Sequence, residues 1–167
     1  IDGTTIVGES KVPSGKAPIK RVFLEPSNLK PLPAAVHAIE RADYILIGPG
    51  SLYTSIIPNL LVKGIGQAVV KAKGEKIYIA NLMTQKGETI HYSVSQHIEA
   101  IHEHVGEAFI ESVLFNEKDL PSAIYAQYRE ENAEPVYFDE EKLQQMGVKL
   151  IKKEIALIHK GTVRHDA

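Results

Sequence analysis

The sequence predicts an α/β fold built on a parallel sheet, with a β-rich C-terminal tail. Three observations carry this reading. Through the middle of the chain, short apolar runs alternate with segments of helical period. Two of those runs, "YILIG" (Tyr44–Gly48) and "KIYIANL" (Lys76–Leu82), are apolar along most of their length, as strands covered on both faces are. Strand, helix, strand, helix, strand in succession implies right-handed crossovers between parallel neighbours.

The elements follow in order. "IDGTTIVGESKV" has β-branched residues around Gly3 and reads as a short hairpin. "KVPSGKAP" (Lys11–Pro18) holds two prolines and a glycine and is a loop. "IKRVFLEP" (Ile19–Pro26) alternates and stops at proline, as a strand does. "LPAAVHAIERA" places Ala35, Ile39 and Ala42 on one helical face. After Tyr44–Gly48 comes a Gly-Pro-Gly loop, then a helical stretch interrupted near Pro58 that resumes to about Lys73, with Gly74 as its stop. Lys76–Leu82 is the next strand, "TQKGET" a loop and Ser93–Val105 an amphipathic helix. Ala108–Asn116 is a strand, and Pro121–Asn132 a helix with proline near its first turn. "PVYFD" reads as a short strand and "EEKLQQMG" as a short helix. The tail from Val148 holds two or three short strands with a turn at Lys160-Gly161.

The 167 residues are enough for one domain with a sizeable core. A formal net charge of -2 offers no basic excess to hold a nucleic-acid backbone. The absence of cysteine rules out disulfides and thiolate metal sites within these residues and suits the cytosol. No apolar run approaches the roughly 20 residues of a membrane span. The first residue is Ile1, not Met, and the expectation is a segment of a longer protein.

The chemistry gathers at "GPGSLYTS", where the Tyr44–Gly48 strand ends. Ligands of open parallel sheets bind outside the carboxyl ends of the strands. Gly48 and Gly50 allow a sharp turn and close approach. The first amides of the following helix lack intrahelical partners and sit at the positive end of its dipole. Ser51, Thr54 and Ser55 add hydroxyl donors, which together make a phosphate cradle. No lysine follows the glycines, so this is neither a Walker A loop nor G-x-G-x-x-G. The plainer alternative is a strand-to-helix turn with Ser51 as N-cap. At the second strand end, Asn81, Thr84 and Gln85 form an uncharged set suited to reading a base or sugar by hydrogen bonds. The alternative there is an ordinary polar loop.

Other residues are weighed the same way. His97 and His104 share a helical face that His102 does not join. Without H-E-x-x-H, a solvated amphipathic face is favoured over a metal site. Tyr125 and Tyr128 lie three apart and share a face; core packing is the plain reading, and one ring stacking on a base the functional one. Arg164, in "TVRHDA", is a candidate for bidentate phosphate contact, against a surface ion pair.

The strings "ADYILIGPGSLYTSIIPNLLVKGI", "IANLMTQKGET" leading to "YSVSQHIEAI", and a tail ending in "RHD" closely resemble the bacterial gluconeogenesis factor family, cousins of 2-phospho-L-lactate transferase. The resemblance covers most of the chain, as roughly the second half of a protein of about 300 residues. It implies a Rossmann-like, three-layer parallel sheet, with residues 1–167 as a single domain, and a cytoplasmic location. It also implies a role in cell shape and envelope-precursor supply during gluconeogenic growth, and self-association. The expected ligand is a nucleotide diphosphate-sugar, a UDP-sugar above all. The same resemblance marks Tyr128 and Arg164 as ligand contacts and the "GPGSLYTS" loop as a diphosphate contact. It transfers no catalytic residue and no metal ligand. The alternative it carries is a phospholactyl-type transferase acting on a deazaflavin with a guanylated donor.

Overall fold

The structure, a computed structural model, describes residues 3–14, 18–130, 132–159 and 161–166. Four strands form the main sheet: β1 (Tyr44–Ile47), β2 (Glu75–Ile79), β3 (Ser112–Asn116) and β4 (Lys149–Lys153). They lie in the order β1-β2-β3-β4, all parallel. The expected parallel α/β sheet is therefore present, and so is the β-rich tail. The first tail strand joins the main sheet as β4. The other two, β5 (Ala156–His159) and β6 (Thr162–His165), pair antiparallel as a separate ribbon. Of the expected turn between them, Lys160 lies outside the described residues and Gly161 takes φ 79.

The connections are α1 (Pro33–Arg41) before β1, then a π-helical turn (Leu52–Ile56), α2 (Ile57–Leu61) and α3 (Ile65–Lys71) before β2. α4 (Val94–Val105) precedes β3; α5 (Ser122–Glu130) and α6 (Glu140–Gln145) precede β4. Local chemistry explains the best-defined of them. Ser93 and Gln96 form a reciprocal capping box at the start of α4, and Gly106 ends it in the left-handed region. The helix expected to run on to Lys73 is instead broken at Val62–Gly64, and α3 ends at Lys71.

One face of the sheet carries the core. Ile47, Tyr78 and Val113 stand side by side in register and cluster with Ile57 of α2, Val69 of α3, Ile98 and Ile101 of α4, and Leu143 of α6. Adjacent parallel strands added always in one direction, with right-handed crossovers, put every crossover helix on the same side. The packing follows that rule.

Three expected strands differ. Residues 3–14 form no hairpin; Glu9–Ser14 tightens into a 3-10 turn, while Ile1 and Asp2 lie outside the described residues. Residues 19–26 make no strand; the Val22 N–H is taken by Nε2 of His104 at 3.0 Å instead of by a neighbouring strand. Residues 135–139 make only isolated bridges, Met83 with Pro135 and Ser93 with Tyr137. Pro135 has no N–H to extend a ladder. Among the described residues, no helix is long and apolar enough to cross a membrane.

Candidate functional site

The chain turns sharply where β1 ends. Gly48 takes φ +92, and a Cβ there would meet the Ile79 carbonyl oxygen at 3.1 Å. Only glycine fits, and the fit sets the end of β1 against the end of β2. The Ser51 carbonyl then accepts both Ser55 N–H and Ile56 N–H at 2.9 Å. The second bond spans five residues, which makes this turn π-helical, a feature frequent at functional sites.

The start of that turn is not open along its whole length. Glu88, 6% exposed, accepts Tyr53 N–H at 3.1 Å and the Thr54 hydroxyl at 2.9 Å. The expectation that an outside anion meets unpaired amides and the Thr54 hydroxyl is corrected here: a carboxylate of the protein's own holds both groups. It does so for the reason given for a phosphate, because the positive end of the helix favours an anion. Just upstream, the amides of Gly50, Ser51 and Leu52 have no protein acceptor among the described residues. Ser55 is exposed, and its carbonyl receives the Asn59 amide at 2.7 Å. Sequence reasoning passed over Glu88, because a glutamate in a Gly-containing loop carries no signal of the partner it will meet.

Asn81 and Gln85 do reach the first loop, as neighbouring strand ends require. Asn81 Nδ2 donates to the Gly50 carbonyl at 2.9 Å, and its Oδ1 accepts the Tyr78 hydroxyl at 3.1 Å. Gln85 Nε2 donates to Ser51 Oγ at 2.9 Å. Gln85 Oε1 is buried with no partner among the described residues. Thr84 is buried and turned elsewhere: its amide donates to the Glu134 carbonyl at 2.7 Å, and its hydroxyl accepts Glu134 N–H at 3.0 Å. It joins two loops rather than facing the Gly-Pro-Gly turn.

Beside this loop a cavity of about 390 Å³ opens at the carboxyl ends of β2 and β3. Asn81, Phe115, Asn116, Asp119, Tyr125 and Tyr137 are among its lining residues. Its size suits a small-molecule ligand. The β5–β6 ribbon is fastened to the same edge. Asn116 Oδ1 accepts Ile155 and Ala156 N–H at 3.0 Å each, and His165 Nε2 donates to the Ala80 carbonyl at 3.0 Å. The Tyr128 hydroxyl accepts Val163 N–H at 2.9 Å, next to Arg164. Tyr125 uses its own hydroxyl to accept Leu120 N–H at 3.2 Å. The structure thus brings Tyr128 to the ribbon that carries Arg164. Arg164 itself is exposed and makes no hydrogen bond or ion pair with the Gly-Pro-Gly loop among the described residues.

The α4 histidines are not a solvated face, contrary to expectation. His97 is fully buried and His104 nearly so. Each bonds through Nδ1 to the carbonyl four residues back, Ser93 at 2.8 Å and Ala100 at 2.6 Å. Tyr53, Tyr78 and Tyr92 surround them with ring contacts. Burial lowers the pKa of both, and of His102, below the ordinary value, so all three favour the neutral ring. Burial likewise raises the Tyr53 and Tyr78 phenols well above theirs. Asp139, just before α6, accepts the Ser95 amide at 3.0 Å and the Ser93 hydroxyl at 2.8 Å. Among the described residues, no group of three His, Cys, Asp or Glu side chains is placed to hold a metal ion.

The chain is 48% identical over 165 residues to the gluconeogenesis factor of Bacillus subtilis (strain 168), covering 99% of this chain and 52% of that protein. It is 45% identical to the gluconeogenesis factor of Halalkalibacterium halodurans, again covering 99% and 52%. The crystal structure of protein BH3568 from Bacillus halodurans superposes with a TM-score of 0.95 at 45% identity, over 98% of this chain and 53% of that one. The chain therefore spans about half the length of the relatives it matches. The family described as 2-phospho-L-lactate transferase CofD matches residues 1–156. With nearly the whole chain inside that match, the chain belongs to the CofD family.

Proposed function

We propose that this protein binds a nucleotide diphosphate-sugar, a UDP-sugar above all, and acts as a regulator rather than by turnover. In this reading it supports cell shape and envelope-precursor supply during gluconeogenic growth, works in the cytoplasm and self-associates. The observation that carries the reading is the run of amides at Gly50, Ser51 and Leu52 that have no acceptor among the described residues, at the carboxyl end of a parallel strand beside a cavity of about 390 Å³. Successive backbone amides without a protein acceptor at a helix start favour a phosphate oxygen. The printed name of two bacterial relatives, gluconeogenesis factor, supports the gluconeogenic part of this reading and no more.

Thermal shift followed by calorimetry tests it, using UDP-glucose and UDP-N-acetylglucosamine against GDP and ADP. A ligand at a hundred times its dissociation constant adds about 2.7 kcal/mol to apparent stability. A UDP-sugar is expected to raise the midpoint and to give a measurable binding heat. No shift with any UDP-sugar at millimolar concentration defeats the proposal.

The family description, 2-phospho-L-lactate transferase, supports a second reading: a phospholactyl-type transferase, for which the sequence resemblance implies a guanylated donor and a deazaflavin alcohol. Incubating the protein with both substrates separates the two. Transfer product supports the enzyme; tight UDP-sugar binding without product supports the regulator.

A further inference from the structure

A second cavity, of about 400 Å³, shares no lining residue with the one at the ends of β2 and β3. The loop after Gln85 lines it through Lys86 and His91. The end of α5 and the segment beyond it contribute Arg129, Asn132 and Glu134. Backbone bonds hold these walls together. Thr84 N–H donates to the Glu134 carbonyl at 2.7 Å, and Ala133 N–H donates to the Tyr128 carbonyl at 2.9 Å. The cavity is thus formed before any guest arrives, which lowers the cost of binding.

Its charges are unevenly spent. The Glu134 carboxylate is engaged by His91, whose Nδ1 lies 2.6 Å from Oε1. Lys86 and Arg129 are exposed and form no ion pair among the described residues. Two cations without a carboxylate partner at one cavity favour an anionic guest.

His91 narrows the class of anion. A carboxylate only accepts, so Nδ1 carries the hydrogen and Nε2 of the neutral ring the lone pair. Nε2 has no protein partner among the described residues. It accepts a hydrogen in the neutral ring and donates one in the imidazolium. A phosphomonoester, whose second ionisation falls at about pH 6, presents either P–O–H or P–O⁻ to match. A sulfate ester has no hydrogen to give. The backbone points the same way. His91 and Asn132 take φ 61 and φ 55, a left-handed conformation that residues other than glycine seldom adopt and that gathers at ligand-binding sites. Ile90, 41% exposed, adds apolar surface and Asn132 an amide, which suit a carbon skeleton bearing hydroxyls.

We propose that the cavity bounded by Lys86, His91, Arg129 and Asn132 is a binding site for a small phosphomonoester of hexose-phosphate size, separate from the nucleotide-sugar site. Lys86 and Arg129 supply the charge, and His91, held by Glu134, reads the phosphate hydrogen. The site makes no use of the Gly50–Leu52 amides, so its failure and that of nucleotide-sugar binding are distinguishable.

The test titrates the polypeptide expressed from its complete reading frame with glucose 6-phosphate by calorimetry. Glucose, glucose 6-sulfate and a phosphoserine peptide serve as comparisons. Glucose 6-phosphate is expected to bind at least about tenfold more tightly than any of the three. Lys86→Gln and Arg129→Gln are each expected to weaken it about tenfold, while any UDP-glucose binding stays at the parent's value. His91→Asn keeps a residue that tolerates the left-handed backbone and is expected to erase the preference for phosphate over sulfate. In the unaltered protein, glucose 6-phosphate is expected to shift the His91 ring protons in NMR spectra, assigned by their loss in His91→Asn. If circular dichroism shows that a variant does not fold, that shift decides the matter. No heat and no His91 shift at millimolar glucose 6-phosphate overturn the proposal. Equal affinity for the sulfate, or parent affinity in both charge variants, overturns it as well. Tighter binding of the phosphoserine peptide overturns the small-molecule assignment, and a matching loss of UDP-glucose binding in the charge variants overturns the separateness of the two sites.

Discussion

The Glu88 carboxylate grips the first turn of the π-helix, 3.1 Å from the Tyr53 amide nitrogen and 2.9 Å from the Thr54 hydroxyl. The group is almost wholly buried, and both bonds cross 34 or more residues of chain, so they tie the 85–89 loop to the end of β1. Glu88→Ala leaves the Tyr53 amide unsatisfied and is expected to cost about 1–3 kcal/mol. Glu88→Gln keeps the shape and one acceptor and is expected to cost less, while removing a negative charge close to the Gly50–Leu52 amides. If those amides hold a diphosphate, Glu88→Gln binds a UDP-sugar at least as tightly as the unaltered protein. Urea midpoints check the first statement and calorimetry the second. Equal midpoints for all three proteins would refute the anchoring role.

The two glycines of the loop are expected to answer differently to alanine. Gly48 combines φ +92 with a backbone oxygen at 3.1 Å, so Gly48→Ala strains the chain and is expected to lower stability by about 1–2 kcal/mol. At Gly50 an added Cβ meets only Ser55 Cβ at 3.4 Å and Ile56 Cγ1 at 3.7 Å, both ordinary contacts, and φ is not positive. Gly50→Ala is expected to fold with a midpoint near the parent's. It crowds the unpartnered amides and is expected to weaken UDP-sugar binding about tenfold, or 1.4 kcal/mol. A Gly50→Ala protein that folds and binds unchanged removes the loop from the ligand site.

Which parts of this were legible in the sequence follows from the range of the interactions. The parallel strands and α4 announce themselves locally, by apolar runs and by the Ser93–Gln96 cap. The residues 19–26 alternate like a strand, yet whether a strand forms depends on a distant partner, and His104, 82 residues on, takes the Val22 amide. The same limit applies to the site. The position of Gly48, Gly50 and Ser51 at a strand end was readable, because an apolar run followed by glycine is a local signal. Asn81 and Gln85 followed from placing two strand ends side by side. The Glu88 contact and the lining of the cavity by Phe115 and Tyr137 were not readable, since they exist only once distant segments meet. Thr84 looked like its neighbours in sequence but turns toward Glu134.

Tyr128 and Arg164 have separable roles in this arrangement. The Tyr128 hydroxyl holds Val163 N–H at 2.9 Å, so it positions the ribbon. Tyr128→Phe keeps the ring and removes the acceptor. It is expected to cost about 1 kcal/mol, felt locally as faster amide exchange in β5 and β6 while β1–β3 stay protected. Arg164→Ala is expected to leave exchange unchanged, because Arg164 is exposed. If the guanidinium serves a phosphate, the loss is about 1.5–3 kcal/mol of UDP-sugar affinity. Unchanged affinity in Arg164→Ala strikes it from the site; unchanged ribbon exchange in Tyr128→Phe denies the anchoring role.

Stability is expected to fall as pH drops below about 6.5, the ordinary value of histidine. Burial lowers the pKa of His97, His102 and His104 in the folded state. Above 6.5 these rings are neutral in both states and contribute no slope. Below it the unfolded chain takes up protons that the folded chain refuses, which favours unfolding until the pH reaches the lowered folded values. Each histidine adds at most about 1.4 kcal/mol per pH unit within that window. Asp139 acts in a separate and more acidic window. Burial pushes its carboxyl up, but bonds from the Ser95 hydroxyl and amide and the Ser93 hydroxyl outweigh this and hold it below its ordinary 3.8. Its contribution is therefore present above 3.8 and lost as pH falls below. Urea midpoints at pH 7.5, 6.5 and 5.5 test the histidine window. His97→Phe keeps a ring beside Tyr78 and Tyr92 and removes the buried Nε2, which has no partner among the described residues, so its midpoints are expected to decline less steeply. A parent protein with one midpoint across that range refutes the linkage, and a His97→Phe slope equal to the parent's assigns it to the other two histidines.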